Sequence, residues 1–273
     1  MVCDVRLEGF ILQRYLSKKF CSLLGQTDYH GNTQMVAEVS PASFKTQTPP
    51  EYVITVPVSA VMRQSFQAGD WLAWHVRSAI QTLDDRGFGC AALLVDSIFS
   101  SDGIYNEPPK FLKQAVDIVH ADGGLFIADE VQSGFARTGD SMWGFQRHNV
   151  VPDIITMGKP MGNGYPVAGV ASRLDLLEAL SKEYGYFNTF GGSTTAAAAG
   201  LAVLNVLEEE GMQENSRQVG AYLKQGLHEL QDQYHCIAEI RGVGLYIGVE
   251  FSEEGDVNRP DVEKATATQS IEA

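Results

Sequence analysis

LFIADE at residues 125–130 and DIITMGKP at residues 153–160 decide the fold. Each is a short apolar run without alternation, and each stops at a residue that can do chemistry, Asp129 in the first and Lys159 in the second. Runs of this kind are strands buried on both faces, the signature of a parallel sheet covered by helices. Upstream, residues 91–95 (AALLV) form a third such run, ending at Asp96. Between it and Leu125, the residues Phe111, Leu112, Ala115, Val116 and Val119 keep helical spacing, and Gly123-Gly124 closes the helix. Strand, helix, strand in this order requires a right-handed crossover between parallel neighbours.

Farther out the pattern continues. Leu72, Val76, Ala79, Ile80 and Leu83 predict a helix from Gly69 to near Gly87. Four prolines between residues 40 and 70 surround the strand-like run 52–56, which suggests a connecting segment. Ser193 or Thr194 can cap a helix that runs to Gly211, and a second helix carries Val219, Leu223, Leu227, Leu230 and Tyr234 on one stripe. Leu245, Ile247, Val249 and Phe251 then alternate with polar or small residues, as in a half-buried strand whose odd-numbered side chains face inward. Residues 1–28 show no clean period, and residues 253–273 read as a polar tail.

Composition bounds the function. The chain has 273 residues, 44% of them hydrophobic, and a net charge of −14, with no basic run to suggest a nucleic-acid partner. Four scattered cysteines without CxxC spacing indicate neither a disulfide framework nor a zinc site, and no metal ligand set is expected. The amino terminus carries charges where a secretory signal needs an apolar core, and no run approaches the ~20 residues of a membrane span. A cytoplasmic protein that engages no membrane is the expectation, with an organellar presequence left open.

In an open parallel sheet, ligands bind beyond the carboxyl ends of the strands. An acid and an amine delivered there suit pyridoxal phosphate, which needs a lysine for a Schiff base and a carboxylate facing its ring nitrogen. Two other readings of Asp129 compete: a helix cap or surface pair, and the magnesium-binding strand of a nucleotide hydrolase. The second needs a GxxxxGK[ST] loop, which this sequence lacks. A lone lysine is ordinarily a solvated surface group. Here the buried strand before it, Pro160 after it and glycines at 158, 162 and 164 favour a defined site, and Pro160 predicts an extended backbone at Lys159.

Residues 125–170 resemble the central block of the class-III (ω-amino-acid) aminotransferases, through an apolar strand, DEVQ, GFxRTG, Trp-Gly-Phe, VxPDI and GKPxGNGxP in order. Weaker similarity runs from about Tyr29 to Phe251. The resemblance implies an α/β, fold type I enzyme dependent on pyridoxal phosphate, which transfers an amino group from an amine or amino acid to a keto acid or aldehyde. Residues 29–211 would be a partial, mainly parallel cofactor-binding large domain, and residues 212–252 the start of a small α+β domain. Lys159 would carry the cofactor as a Schiff base and shuttle the proton, and Asp129 would hold the ring nitrogen protonated. Val131 would pack on one ring face and Tyr29 on the other, while Gln132 would bind the phenolic oxygen. Thr189 would bind the phosphate of the neighbouring subunit's cofactor in a homodimer. Arg137 and Trp143 would be structural supports.

The sequence departs from the family in places. Asp96 stands where glutamate is usual, and Ser193-Thr194 replaces Asn-Pro. Nothing in residues 1–28 matches the family's Ser-Gly-Ser/Thr-Glu-Ala phosphate loop, and the sequence stops before the later small-domain strands and their arginine, so a chain truncated at both ends is expected. Two alternatives stand beside transamination. One is a lyase eliminating phosphate from a phosphorylated amino alcohol, and the other is a non-catalytic homologue that binds full-length subunits.

Overall fold

The computed structural model describes residues 22–25, 28–44, 48–57, 67–183 and 185–252. Its centre is a six-stranded sheet built from β1 (Ser22–Gly25), β2 (Val53–Val56), β3 (Ala92–Asp96), β4 (Leu125–Asp129), β5 (Ile154–Met157) and β6 (Gly169–Ser172). The strand order is β2-β1-β3-β4-β5-β6. The first five of these positions are parallel, and β6 closes the edge antiparallel to β5. β3 and β4 are buried at every position, as their unbroken apolar runs require.

Helices cover the sheet. A single turn, α1 (Gln34–Ala37), precedes α2 (Ala68–Asp85), which buries Leu72, Val76, Ala79 and Leu83; α3 (Lys113–Ala121) buries Ala115, Val116 and Val119 and packs against α2. Full burial of each such aliphatic side chain stabilises the fold by roughly 1.5–3 kcal/mol relative to exposure. α4 (Leu174–Glu183) follows β6, and then come α5 (Thr194–Glu209), α6 (Met212–Gln233) and a two-stranded antiparallel sheet of β7 (Ile237–Val243) and β8 (Tyr246–Phe251). Ser193 caps α5, its side chain accepting from the Ala196 amide at 3.3 Å. Gly211, at φ +62°, turns the chain from α5 into α6 at the expected domain boundary.

Three findings differ from the sequence reading. Ser22–Gly25, inside the unassigned residues 1–28, forms β1 between β2 and β3, so the sheet begins before Tyr29. The strand-like run at 52–56 does form a strand at Val53–Val56, but one paired into the main sheet within the segment expected to connect. In β8 the expected inward face is reversed at its end, since Glu250 is buried and Phe251 is 62% exposed. The cause is Arg241, which ion-pairs with Glu250 at 2.6 Å and draws the carboxylate inward. The polar tail at 253–273 lies outside the described residues. Among the described residues, no helix is long and apolar enough to cross a membrane.

Candidate active site

Register aligns the carboxyl ends of the central strands. Asp96 of β3 pairs with Asp129 of β4, and Asp129 pairs with Thr156 of β5. Lys159 follows three residues after Thr156. An acid and an amine therefore leave neighbouring strands at the same edge of the sheet, where α/β ligand sites lie.

Asp129 is 6% exposed and held on three sides. Its Oδ1 accepts from the Val131 amide at 3.0 Å and from the Thr156 hydroxyl at 3.2 Å. Its Oδ2 lies 2.7 Å from Nδ1 of His30. A carboxylate has about four acceptor positions, so one further N–H donor can still be met. His30 is the member of this cluster that sequence reasoning missed, because Tyr29-His30-Gly31-Asn32 reads as a turn. The available signal was an imidazole next to the residue expected to stack on the cofactor. Burial disfavours the charged imidazole, but the carboxylates of Asp129 and Asp28 outweigh burial and push His30 up to about 10.

Gln132 is fixed at both ends of its amide. Nε2 donates to Ser100 Oγ at 2.6 Å, and Oε1 accepts from the Tyr246 hydroxyl at 2.6 Å. Ser100 donates in turn to Asp96, whose carboxyl is pushed up to about 7, first by burial and then by the charge of Asp28. Tyr246, on β8, ties the second sheet to the site, and its phenol is pushed up to about 12, chiefly by burial. Glu130, also not foreseen, is a buried anchor accepting from Ser97 Oγ (2.7 Å), Ser133 Oγ (3.0 Å), Gly144 N (2.7 Å) and Phe145 N (2.9 Å). A Cβ on Gly144 would sit 2.6 Å from Ser133 Cβ, which explains glycine beside Trp143. Trp143 meets Phe135 edge-on at 5.1 Å, and the Arg137 carbonyl accepts from the Leu245 amide at 3.0 Å.

Lys159 departs from its predicted geometry. Its φ is +24°, neither helical nor extended, and it opens a tight 3-10 turn (Lys159–Gly162) closed by Met161 N donating to Gly158 O at 2.8 Å. The turn overrides the extended preference that Pro160 imposes. Phe99, Ile104, Phe135 and Ala136 also have positive φ; strain of this kind collects at functional sites. Lys159 is exposed, and among the described residues its amine makes no hydrogen bond or ion pair.

The structure thus brings together Asp129, Val131 and Gln132 with His30, Ser100, Asp96 and Tyr246. Tyr29 adjoins His30 and is 47% exposed. Thr189 stands apart on the exposed loop 185–192, where Asn188 Oδ1 accepts from the amides of Phe190 and Gly191, both at 3.0 Å. The donor set fits the pyridine and aldehyde ends of pyridoxal phosphate: a buried carboxylate with a remaining acceptor position for a ring N–H, and an uncommitted amine.

Comparison with known proteins agrees with this geometry. The family model "Aminotransferase class-III" matches residues 18–271. The chain is 36% identical to ethanolamine-phosphate phospho-lyase homolog 1 of Caenorhabditis elegans, over 94% of this chain and 59% of that protein. It is 48% identical to alanine–glyoxylate aminotransferase 2 homolog 2, mitochondrial, of Arabidopsis thaliana, over 62% of this chain and 35% of that protein. Among solved structures, a phospholyase from Arthrobacter in complex with phosphoethanolamine superposes with a TM-score of 0.86 at 33% identity, covering 93% of this chain and 61% of that one. The chain spans roughly a third to three fifths of the length of the curated relatives it matches.

Proposed function

The chain belongs to the class-III aminotransferases, and from that premise we propose that it is a pyridoxal-phosphate-dependent aminotransferase acting between an amine or amino acid and a keto acid or aldehyde. The observation that carries this reading is the Asp129 carboxylate, buried at the end of β4 with His30 fixed upon it, one strand from the amine-bearing turn at Lys159. When bound, pyridoxal phosphate supplies an aldehyde that captures amines and an electron-poor ring that accepts the electron pair of a breaking C–H bond.

This chain's residues supply the rest. Lys159 offers the amine that would hold the cofactor and would carry the proton at the substrate carbon. Asp129 would accept from the ring N–H, where its charge would favour the protonated ring. Val131 and Tyr29 would flank the ring and limit the access of water to it. Gln132, its amide oriented by Ser100 and Tyr246, would donate its second amide hydrogen to the phenolic oxygen. Thr189 would bind the phosphate of a second copy's cofactor, so that the functional unit would be a homodimer; the exposure of Phe187 (86%) and Phe190 (83%) near Thr189 supports that face. We place the protein in the cytoplasm, where Cys90 and Cys236 remain thiols.

A second reading, elimination of phosphate from a phosphorylated amino alcohol, is favoured by the two broadest matches above, both phospho-lyases by name. It uses the same lysine to abstract the proton. The test is to load the protein with pyridoxal phosphate and assay keto-acid-dependent amino transfer from L-alanine and other donors, beside phosphate release from phosphoethanolamine. Transamination that vanishes in Lys159→Ala supports the main reading, and phosphate release without transamination replaces it with the second. Cofactor-loaded protein that does neither is a non-catalytic homologue.

A further inference from the structure

His30 has a carboxylate on each ring nitrogen. Asp129 Oδ2 is 2.7 Å from Nδ1, and Asp28 Oδ2 is 3.7 Å from Nε2. Asp28 is 1% exposed and the His30 side chain 3%. Nε2 is buried and makes no hydrogen bond in the structure. Asp129 is thereby contacted by a residue whose own far side faces a second acid.

A neutral imidazole carries one N–H and one lone pair, and either nitrogen can hold the proton. With the proton on Nε2, the Nδ1 lone pair would point at an Asp129 oxygen 2.7 Å away, a repulsive contact. With the proton on Nδ1, Asp28 would face a lone pair from a buried position. Only protonation of both nitrogens suits both neighbours. We propose that Asp28 is a positioning residue: its charge beside Nε2 locks His30 in the doubly protonated form, so that an Nδ1–H is always presented to Asp129.

The charged groups around the ring bear this out. Asp28 comes from the segment preceding His30, and Asp129 comes from β4. Asp96 of β3 feels both of these charges, and its carboxyl is raised first by burial and then by Asp28 and Asp129. The proposed form is one imidazolium between two carboxylates, a set with a net charge of −1. Under the function proposed above, on which this consequence rests, that residual charge strengthens Asp129 as the partner of the cofactor's ring nitrogen.

The test follows the His30 ring by NMR in the full chain labelled with 15N-histidine, without added cofactor, for wild type, Asp28→Asn and Asp28→Glu. Wild-type His30 is expected to stay doubly protonated through pH 8, with a downfield Nδ1–H resonance. In Asp28→Asn the Nδ1–H resonance persists, showing that the ring is still docked on Asp129, while the titration midpoint falls by at least about one pH unit, or roughly tenfold in acid dissociation. Asp28→Glu keeps the wild-type midpoint. A wild-type His30 that titrates near the ordinary histidine value overturns the proposal, as does an Asp28→Asn midpoint equal to wild type. Because His30 is read without cofactor, failure of Lys159 to capture pyridoxal phosphate would overturn the functional reading and leave this one standing.

Discussion

The strand ends around residues 92–163 and the helical region 185–233 are both rich in apolar residues, yet they treat them oppositely. β3 and β4 are buried at every position, and the residues beyond them interlock through Asp96, Ser100, Gln132 and Tyr246. In α5 the sequence TTAAAAGLAVLNVLEE is apolar nearly all round, but only Ala196 is buried, while Leu201 is 60% exposed. A helix of that composition is normally covered on several faces. Apolarity announces what requires cover, whereas contacts show where the cover comes from. The first region finds it within these residues, and the second presents its surface outward, where the proposed dimer places a second copy.

Four experiments can break or sharpen this contrast. The largest effect is expected from Lys159→Ala, which should lower turnover by at least roughly 10²–10⁴-fold while shifting stability by no more than ~0.5 kcal/mol, as steady-state kinetics and urea denaturation will report. Next is Glu130→Ala, which strips four buried donors of their acceptor and should destabilise the fold by at least about 3 kcal/mol in the same denaturation assay. A loss below 1 kcal/mol would show that the interlocked region is less rigid than its hydrogen bonds indicate.

The third experiment concerns pH. The folded-state value of His30, about 10, lies above its ordinary 6.5, so its contribution to stability is fully present below pH 6.5 and is lost as pH rises through 10. The urea midpoint should fall across that window with a slope of up to about 1.4 kcal/mol per pH unit. His30→Gln should flatten that part of the profile, and an unchanged slope would mean that His30 is not charged. The smallest effect on folding belongs to Phe187→Ser in the outward region: within ~0.5 kcal/mol in stability, but a weaker dimer by sedimentation equilibrium. A dimer as tight as wild type would remove the loop from the interface.

The contrast also explains which features the sequence made legible. LFIAD and ALLV could be read because a strand buried on both faces leaves no polar gaps, and α2 and α3 because their buried residues repeat every three or four positions. Ser22–Gly25 is too short and too plain to signal a strand, and its place is set by pairing with Val53–Val56 and Ala92-Leu93. β6, reading Gly-Val-Ala-Ser, is an edge strand without a continuous apolar run. In β8 the alternation misled at Glu250 because the partner that buries it, Arg241, lies on another strand. The placement of Asp129 and Lys159 just beyond neighbouring strands was legible from where apolar runs stop. His30, Ser100 and Tyr246 were not, because each acquires its role from a residue distant in the chain, at separations of 99, 32 and 114 positions.

The most direct test of whether Lys159 and Asp129 serve one cofactor ring is borohydride reduction of protein incubated with pyridoxal phosphate, followed by peptide mapping in wild type and Asp129→Asn. A single stable pyridoxyl adduct on Lys159, with markedly lower occupancy in the variant at limiting cofactor, is the expected result. Label scattered over surface lysines, or equal occupancy in both proteins, would contradict it.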